Sequence, residues 1–386
     1  MAEVVRSYRY RIYPRVAQRT AAWDVLRLHR ELYNAALQER RDAYRKCGVS
    51  VSYNDQSAQL KEIRSLREDV GGLNFSSLQQ TLRRLNKSFA AFFRRMKAGQ
   101  TPGFPRFKGA DRFRSVSFVY GDGSKIRVDA QGRSVVYLQG IGELKVKWHR
   151  SLPEGVQIKQ VQIMVDGRDR WFVTFALEAP AEAFARAGGT GEIGIDVGLE
   201  KFAALSDGTT IENPRFYRAA RAQLAEAQRV VARRRRGSRR HRKAKAAAAR
   251  IQAKMAAERL DFQHRASAKL VQQYGFIAVE NLTIRGLTRG MLAGSVHDAG
   301  WAQFISFLKY KAESAGTRVE EVDARGTSQT CPECGANAKK DLSERIHACP
   351  CGCILDRDVA AAKVILSRGQ AAWTGPPMMA AAEAAA

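Results

Sequence analysis

The chain has 386 residues, 45% of them apolar, with 17 Phe and 5 Trp; this excludes a disordered polymer and allows about two or three domains with buried cores. Its 65 Lys and Arg against 38 Asp and Glu give a net charge of +27 and a pI of about 10.3. No apolar run approaches the roughly 20 residues of a membrane span. MAEVVRSYRYRIYP also lacks the apolar stretch of an export signal, so a chain this basic is expected to act in the cytoplasm or nucleoid on a polyanion, nucleic acid first.

In chain order, SYRYRIYP (7–14) alternates like a strand. From Val16 to Lys97 the spacing is helical, with Arg and Lys opposite the apolar stripe. TPGFPRFKG (101–109) is a loop, because proline disfavours helix in the residue before it. Six short strands follow, SVSFVYGD, SKIRV, SVVYL, ELKVKW, VQIKQVQIMVDG and RWFVTFALE, whose hairpin-like spacing predicts a small antiparallel barrel that the first strand joins. EAPAEAFARAGGTG (178–191) reads as a linker.

Beyond it the grammar becomes that of an α/β domain. EIGIDVGLEKFAALSDGTTI reads as two strands around a tight turn, and 214–273 as one long Arg- and Ala-rich helical region. FIAVEN and TRVEEVD are strands, WAQFISFLKYKAESAG is an amphipathic helix, and DVAAAKVIL closes as a helix before a low-complexity tail.

Cys47 stands alone in a helix and is expected to pack. The other five cysteines fall within 23 residues, and in a reducing compartment such a cluster points to a metal. Cys331 and Cys334, followed by Cys349 and Cys351, form two knuckles that can close a thiolate cage around a structural Zn²⁺. The second knuckle is one residue shorter than C-x-x-C, which leaves Cys353, or less readily His347, as a substitute ligand.

Three carboxylates stand at the ends of elements: Asp196 after the strand EIGI, Glu280 after FIAV, and Asp358 at the start of the last helix, followed by Ala360, Ala361 and Ala362. Two adjacent parallel strand ends and a helix N-terminus would gather them, and the alanines would let that helix approach the sheet. Carboxylates packed together repel one another unless a hard cation lies between them, Mg²⁺ or Mn²⁺ for oxygen-only ligands. Two such ions roughly 4 Å apart serve phosphodiester hydrolysis. Singly, each acid is also explained as a turn former, a cap or a salt-bridge partner, and GIDVGL also fits the phosphate loop of an actin-like ATPase.

YNAAL (33–37), LQQTLRRLNKSFAAFFRRMKAG (78–99), GFPRFKG (103–109), GIDVGL (194–199), RLDFQHRAS (259–267), VENL (279–282), VHDAGWAQFISFLKYKA (296–312), TSQTCPECG (327–335) and CG…LDRD (351–358) together resemble the transposon-encoded TnpB nucleases, relatives of compact type V CRISPR effectors. The resemblance implies an α+β multidomain chain. An antiparallel wedge β-barrel (1–14 and 101–182) would hold an inserted helical recognition lobe (15–100). An RNase H-like (RuvC) α/β nuclease domain (190–326 and 355–370) would carry an inserted zinc ribbon (327–354), before a disordered tail (371–386).

It further implies that Asp196, Glu280 and Asp358 are catalytic and hold two Mg²⁺ ions. A guide RNA from the transposon end would select a double-stranded DNA target next to a short flanking motif. The oligomeric state is left open between monomer and dimer, with a monomer favoured. One departure is Ala360, where the family usually has Asn. A guided DNA-binding repressor that cuts poorly is therefore the alternative reading, and the ATPase explains neither the cysteines nor the charge.

Three stretches are candidates for nucleic-acid contact. The run RRRRGSRRHRK places Arg233, Arg234, Arg235, Arg236, Arg239, Arg240, Arg242 and Lys243 in eleven residues, for guide or heteroduplex phosphates, although a charge run is also an ordinary solvated helix face. Arg106 and Lys108 flank Phe107 in a loop whose phenylalanines either stack on bases or anchor the loop. Gln79, Gln80 and Arg83 share a helix and carry side chains suited to base edges, for the flanking motif.

Overall fold

The computed structural model describes residues 3–185, 187–281, 298–337 and 344–373, so the expected tail lies outside the described residues from 374 onward. The chain divides into two compact units, Met1–Ala183 and Phe184–Ala386.

In the first unit β1 (Glu3–Ile12) leads into α1 (Val16–Cys47), α2 (Tyr53–Leu66), α3 (Glu68–Gly71) and α4 (Phe75–Lys97). Six strands follow: β2 (Ser115–Val119), β3 (Ser124–Val128), β4 (Ser134–Leu138), β5 (Gly142–Lys147), β6 (Gln157–Val165) and β7 (Trp171–Pro180). They form one antiparallel sheet in the order β2-β6-β7-β1-β5-β4-β3. A bridge between Val119 and Asp122, in the turn from β2 to β3, nearly closes it.

Pleat periodicity explains its core. Trp171, Val173, Phe175, Leu177 and Ala179 alternate inward along β7, whose partner β1 runs in register from Glu3 opposite Pro180 to Ile12 opposite Trp171. The helices enter between β1 and β2. Buried Ala22, Val25, Leu26, His29, Tyr33, Leu37 and Arg40 trace the 3.6-residue stripe of α1, which ends on Gly48 in the left-handed conformation. Asn74 caps α4 by accepting from the Ser77 amide at 2.8 Å. Cys47, expected to pack, is exposed at the last turn of α1.

The second unit is built on a five-stranded mixed sheet. Its strands are β8 (Gly191–Val197), β9 (Lys201–Leu205), β10 (Thr210–Glu212), β11 (Tyr274–Glu280) and β12 (Arg318–Val322), in the order β10-β9-β8-β11-β12. β8, β9 and β10 pair antiparallel, whereas β8, β11 and β12 run parallel. The stretch read as two strands around a turn therefore holds a third, because Asp207, Gly208 and Thr209 turn the chain back onto β9.

The long helical region is also broken. α5 (Phe216–Ala232) and α6 (Arg239–Gln273) are separate, and the Arg run spans the turn between them, where Ser238 caps α6. The Ala/Gly-rich linker is partly structured as well: β7 extends to Pro180 and Phe184 is buried.

Helices cover both faces of this sheet. Leu270 and Val271 of α6, with Trp301, Phe304, Ile305 and Leu308 of α7 (Trp301–Ala315), pack on Ile193, Ile195, Ile277 and Val279. The last helix, α8 (Arg357–Ala372), lies on the opposite face against Phe276, Ala278 and Val322 through Ile365. Between β12 and α8 stands a small hairpin, β13 (Ile346–Ala348) with β14 (Ile354–Asp356). Among the described residues no helix is long and apolar enough to cross a membrane.

Candidate active site

Strand parity decides where the acids point. Successive side chains of a strand face opposite sides. Ile193 and Ile195 face α6 and α7, so Gly194 and Asp196 face α8. In β11, Ile277 and Val279 face the same helices as the isoleucines, so Phe276, Ala278 and Glu280 face α8. Val279 pairs with Ile195 in the parallel register, which sets Asp196 and Glu280 side by side at the C-terminal ends of neighbouring strands.

α8 brings the third acid. It rests on β8 where Gly194 leaves no room for a side chain, since a Cβ there would meet the Ala362 carbonyl oxygen at 2.0 Å and Leu366 at 2.8 Å. Ala360, Ala361 and Ala362 are buried in that contact. Asp356 caps the helix by accepting from the amides of Asp358, at 2.9 Å, and Val359, at 3.3 Å. Lys201 of β9 holds Asp356 from the other side at 3.1 Å, and Arg357 lies 3.6 Å from Asp358. Asp358 thus sits in a clamped first turn.

The electrostatics follow. Burial, then the negative charges of Glu280 and Asp358, push the Asp196 carboxyl well above the usual carboxylate range, with Arg357 opposing. Burial also raises Glu280, which is 8% exposed, against the hydrogen bond from Thr327 and the charge of Arg368. The donor set is oxygen only and crowded with negative charge, the chemistry a hard divalent cation takes, although the three carboxylates are not drawn within 4.8 Å of one another as the four sulfurs are.

The cysteines converge separately. Cys331, Cys334, Cys349 and Cys351 bring their sulfurs within 4.8 Å of one another, with Sγ–Sγ separations of 3.6 Å (Cys331–Cys351) and 3.5 Å (Cys334–Cys349). A tetrahedral zinc with bonds of about 2.3 Å needs about 3.8 Å between sulfurs, so the cluster fits a thiophilic ion. The amides of Cys334 and Glu333 point at the Cys331 sulfur and lower its thiol, whereas the neighbouring sulfurs raise Cys349 and Cys351, as expected when one crowded set shares a single negative charge. Cys353 belongs to a second group, within 4.8 Å of Cys331 and His347, and not to the four-sulfur set.

Sequence reasoning placed the three acids and missed what holds them. Asp356, in the D-R-D stretch, carried a readable signal as an N-cap two residues before Asp358. Lys201 carried none, and Thr327 opened the TSQTCPECG stretch without any role being read for it.

The nucleic-acid candidates fall in different settings. Gln80 and Arg83 line a groove of about 590 Å³ with Arg84, Lys87, Ser115 and Gln162, between α4 and the β2–β6 edge. Gln79 does not line it; its amide donates to the Ser57 hydroxyl at 3.1 Å. Arg83 stacks over Tyr53 and donates to its hydroxyl at 3.1 Å. Arg106 is exposed, and Lys108 is fixed by its backbone to Asn34. Phe104, 47% exposed, meets Phe89 and Phe92 edge-on, so it anchors the loop while leaving a face open. Arg233, Arg234, Arg235, Arg236, Arg239, Arg240, Arg242 and Lys243 are all exposed, and among the described residues no carboxylate pairs with them.

Comparison with known proteins places the chain among named relatives. Residues 179–291 match the OrfB_IS605 family model, described as "Probable transposase", and residues 301–365 match the "Cas12f1-like, TNB domain". Residues 1–48 match a model described as "Helix-turn-helix domain", although they fold here as β1 and the single helix α1. A Streptomyces pristinaespiralis protein named as an RNA-guided DNA endonuclease is 34% identical over 380 residues, covering 96% of this chain and 91% of that protein.

The RNA-guided DNA endonuclease InsQ of Escherichia coli K12 is 26% identical over 362 residues, covering 89% of this chain and 87% of that protein. Among solved structures, Cas12f1 in its complex with sgRNA and target DNA superposes with a TM-score of 0.56 at 13% identity, covering 91% of this chain and 82% of that one. The mini-RNA-guided endonuclease CRISPR-Cas phi3 gives 0.52 at 10%, covering 98% and 93%. At such identities the structural likeness speaks for the fold alone.

Proposed function

We infer the activity of this chain from its membership of the TnpB family of RNA-guided DNA endonucleases, to which it belongs over nearly its whole length. Its function is guided cleavage of DNA, in the cytoplasm. The second unit, with its mixed sheet between helical layers, is read as an RNase H-like (RuvC) nuclease domain, and the hairpin with its cysteines as a zinc ribbon inserted before α8. The seven-stranded sheet is read as the wedge barrel, with α1 to α4 as the recognition lobe inserted in it.

Asp196, Glu280 and Asp358 would hold divalent magnesium, and Cys331, Cys334, Cys349 and Cys351 would hold zinc. Bound there, a pair of magnesium ions supplies a nucleophilic water at neutral pH and a charge sink for the leaving oxygen of a phosphodiester. The chain's own contribution is placement. β8 and β11 fix two carboxylates through their parallel register, and α8 carries the third into the same space. Asp356 and Lys201 lock the first turn of α8, so that Asp358 need not reorganise when the cation arrives.

Sequence discrimination comes from base pairing with a transposon-derived guide RNA. The groove at Gln80, Arg83 and Arg84 is suited to reading the short duplex motif beside the target, because it offers amide and guanidinium donors within one cleft. The exposed cations at 233–243 are suited to backbone phosphates.

The observation that carries the reading is the common face of Asp196, Glu280 and Asp358. The test is to sequence the RNA that copurifies with the chain and then assay cleavage of a plasmid bearing the matching target, with and without Mg²⁺. Cutting that needs Mg²⁺ and is lost in D196A, with guided binding retained, is the expected result. Guided binding with no cutting by the unaltered chain would establish the repressor alternative that Ala360 keeps open.

A further inference from the structure

The structure gives Glu280 a partner that no motif assigns. Thr327 is 4% exposed, and its Oγ1 stands 2.5 Å from Glu280 Oε1 and 3.1 Å from the carbonyl oxygen of Ala324. A hydroxyl has one proton to donate, and the nearer, charged acceptor takes it when Glu280 is ionised. Forty-seven residues separate the two in sequence, so the contact exists only because the loop after β12 folds back over the end of β11.

That loop is tightly made. Gly326 adopts φ +73, a left-handed conformation open to glycine, and its carbonyl accepts from the amides of Gln329 and Thr330 and from the Thr330 hydroxyl. Arg368 of α8 reaches across and donates to the carbonyls of Asp323 and Arg325, each at 2.8 Å. Four residues beyond Thr327 comes Cys331, the buried member of the four-sulfur cluster. The segment is therefore held by α8 at one end and by the cysteine cluster at the other, with Thr327 between them aimed at Glu280.

We propose that Thr327 is a positioning residue for DNA cleavage: its hydroxyl holds one oxygen of the Glu280 carboxylate and leaves the other turned toward the divalent cation. The soft-ligand cluster thereby acts on the hard-ligand site through two chain paths, one from Cys351 through β14 to Asp358, the other from Cys331 back to Thr327 and Glu280. This inference rests on the nuclease reading above, and adds to it a residue outside the carboxylate trio that sets cation affinity.

The test uses the full chain with its copurified guide RNA. T327V keeps the side-chain volume and removes the hydroxyl, T327S keeps the hydroxyl, and E280Q sets the floor. Three quantities are read: Mn²⁺ binding, from the paramagnetic resonance of free Mn²⁺ during titration; the Mg²⁺ concentration for half-maximal plasmid cleavage; and zinc content with melting temperature. T327V should weaken Mn²⁺ binding and raise the Mg²⁺ requirement by about 10- to 100-fold, the usual effect of removing a ligand's supporting hydrogen bond. T327S should stay within about 3-fold of the unaltered chain, and zinc content and guided binding should not move.

An unchanged Mn²⁺ affinity in T327V overturns the proposal. So does a T327V chain that loses zinc or melts early while its folded fraction binds Mn²⁺ normally, since Thr327 would then only brace the loop. If the unaltered chain neither binds Mn²⁺ nor cuts, the nuclease reading itself fails before any variant is compared.

Discussion

The carbonyl oxygen of Ala362 lies where a side chain on Gly194 would begin: a Cβ there would stand 2.0 Å from it. This close approach puts the helix carrying Asp358 onto the strand carrying Asp196, and it tolerates nothing larger than hydrogen. In G194A the backbone of α8 must move, because the obstructing atom is main chain. Overpacking of this kind costs about 1–3 kcal/mol, a melting shift of several degrees. Cleavage should fall further, by about 100-fold, since a displacement near 1 Å at a catalytic group costs that much. Cleavage at a temperature well below melting, compared with guided binding by the same sample, separates the two effects. A G194A chain that cuts normally would show that α8 does not set the spacing of the acids.

His29 makes the packing of α1 against α4 sensitive to acid. Its ring is buried, with Nδ1 donating to the Val25 carbonyl at 2.8 Å and Nε2 at 2.9 Å from the Ser77 hydroxyl. Burial outweighs the bond to Val25 and lowers it from 6.5 to about 4. The sign follows from linkage. Above the ordinary value of about 6.5 the ring is neutral whether folded or not, and the contribution is complete. Between there and about pH 4 only the unfolded chain takes the proton, so stability drains away, by about 3 kcal/mol in all. Melting curves from pH 7 to 4 should therefore fall more steeply for the unaltered chain than for H29Q. Parallel curves would mean that His29 is not protonated on unfolding.

Much of this site could be read before folding, because it obeys periodicity. Alternation along GEIGIDV and YGFIAVE fixes the face of Asp196 and Glu280, and three consecutive alanines announce a helix meant to lie close. The four-sulfur set was likewise legible from spacing. What stayed hidden depends on closure in three dimensions. Thr327 meets Glu280 only through the loop after β12, and Lys201 meets Asp356 across 155 residues. Asp356 stands two residues before Asp358, but its carboxylate caps α8. The break between α5 and α6 was masked by helix-favouring Arg and Ala around Gly237 and Ser238.

The cysteines offer two overlapping groups that could hold a metal, the four-sulfur set and Cys331 with His347 and Cys353. Cys353 faces Cys331 and His347 rather than completing the four-sulfur set. C331S with C334S should abolish zinc retention, lower the melting temperature by several degrees, and reduce Mg²⁺-dependent cleavage at least about 10-fold, because a structural zinc contributes directly to folding. C353S should keep one zinc per chain and near-normal cleavage. Elemental analysis of the purified variants decides it. Zinc lost in C353S and kept in C351S would assign the fourth ligand to Cys353, and a double variant unchanged in melting and cleavage would remove the bracing role altogether.

The turn between α5 and α6 should bind phosphate rather than water. Eight exposed cations without carboxylate partners among the described residues repel one another, and a polyanion relieves that repulsion. Each phosphate neutralised releases condensed counterions, with a slope of about −0.7 to −0.9 in log affinity against log salt. Replacing Arg233, Arg234, Arg235 and Arg236 with Ala should weaken binding of the copurified RNA equally across guide sequences and flatten that slope by about 3. Titrations from 50 to 300 mM KCl measure it. Cleavage at saturating RNA and low salt should survive, since these residues lie outside the carboxylate site. An unchanged slope would make the run a solvated surface, the plain reading of any string of charge.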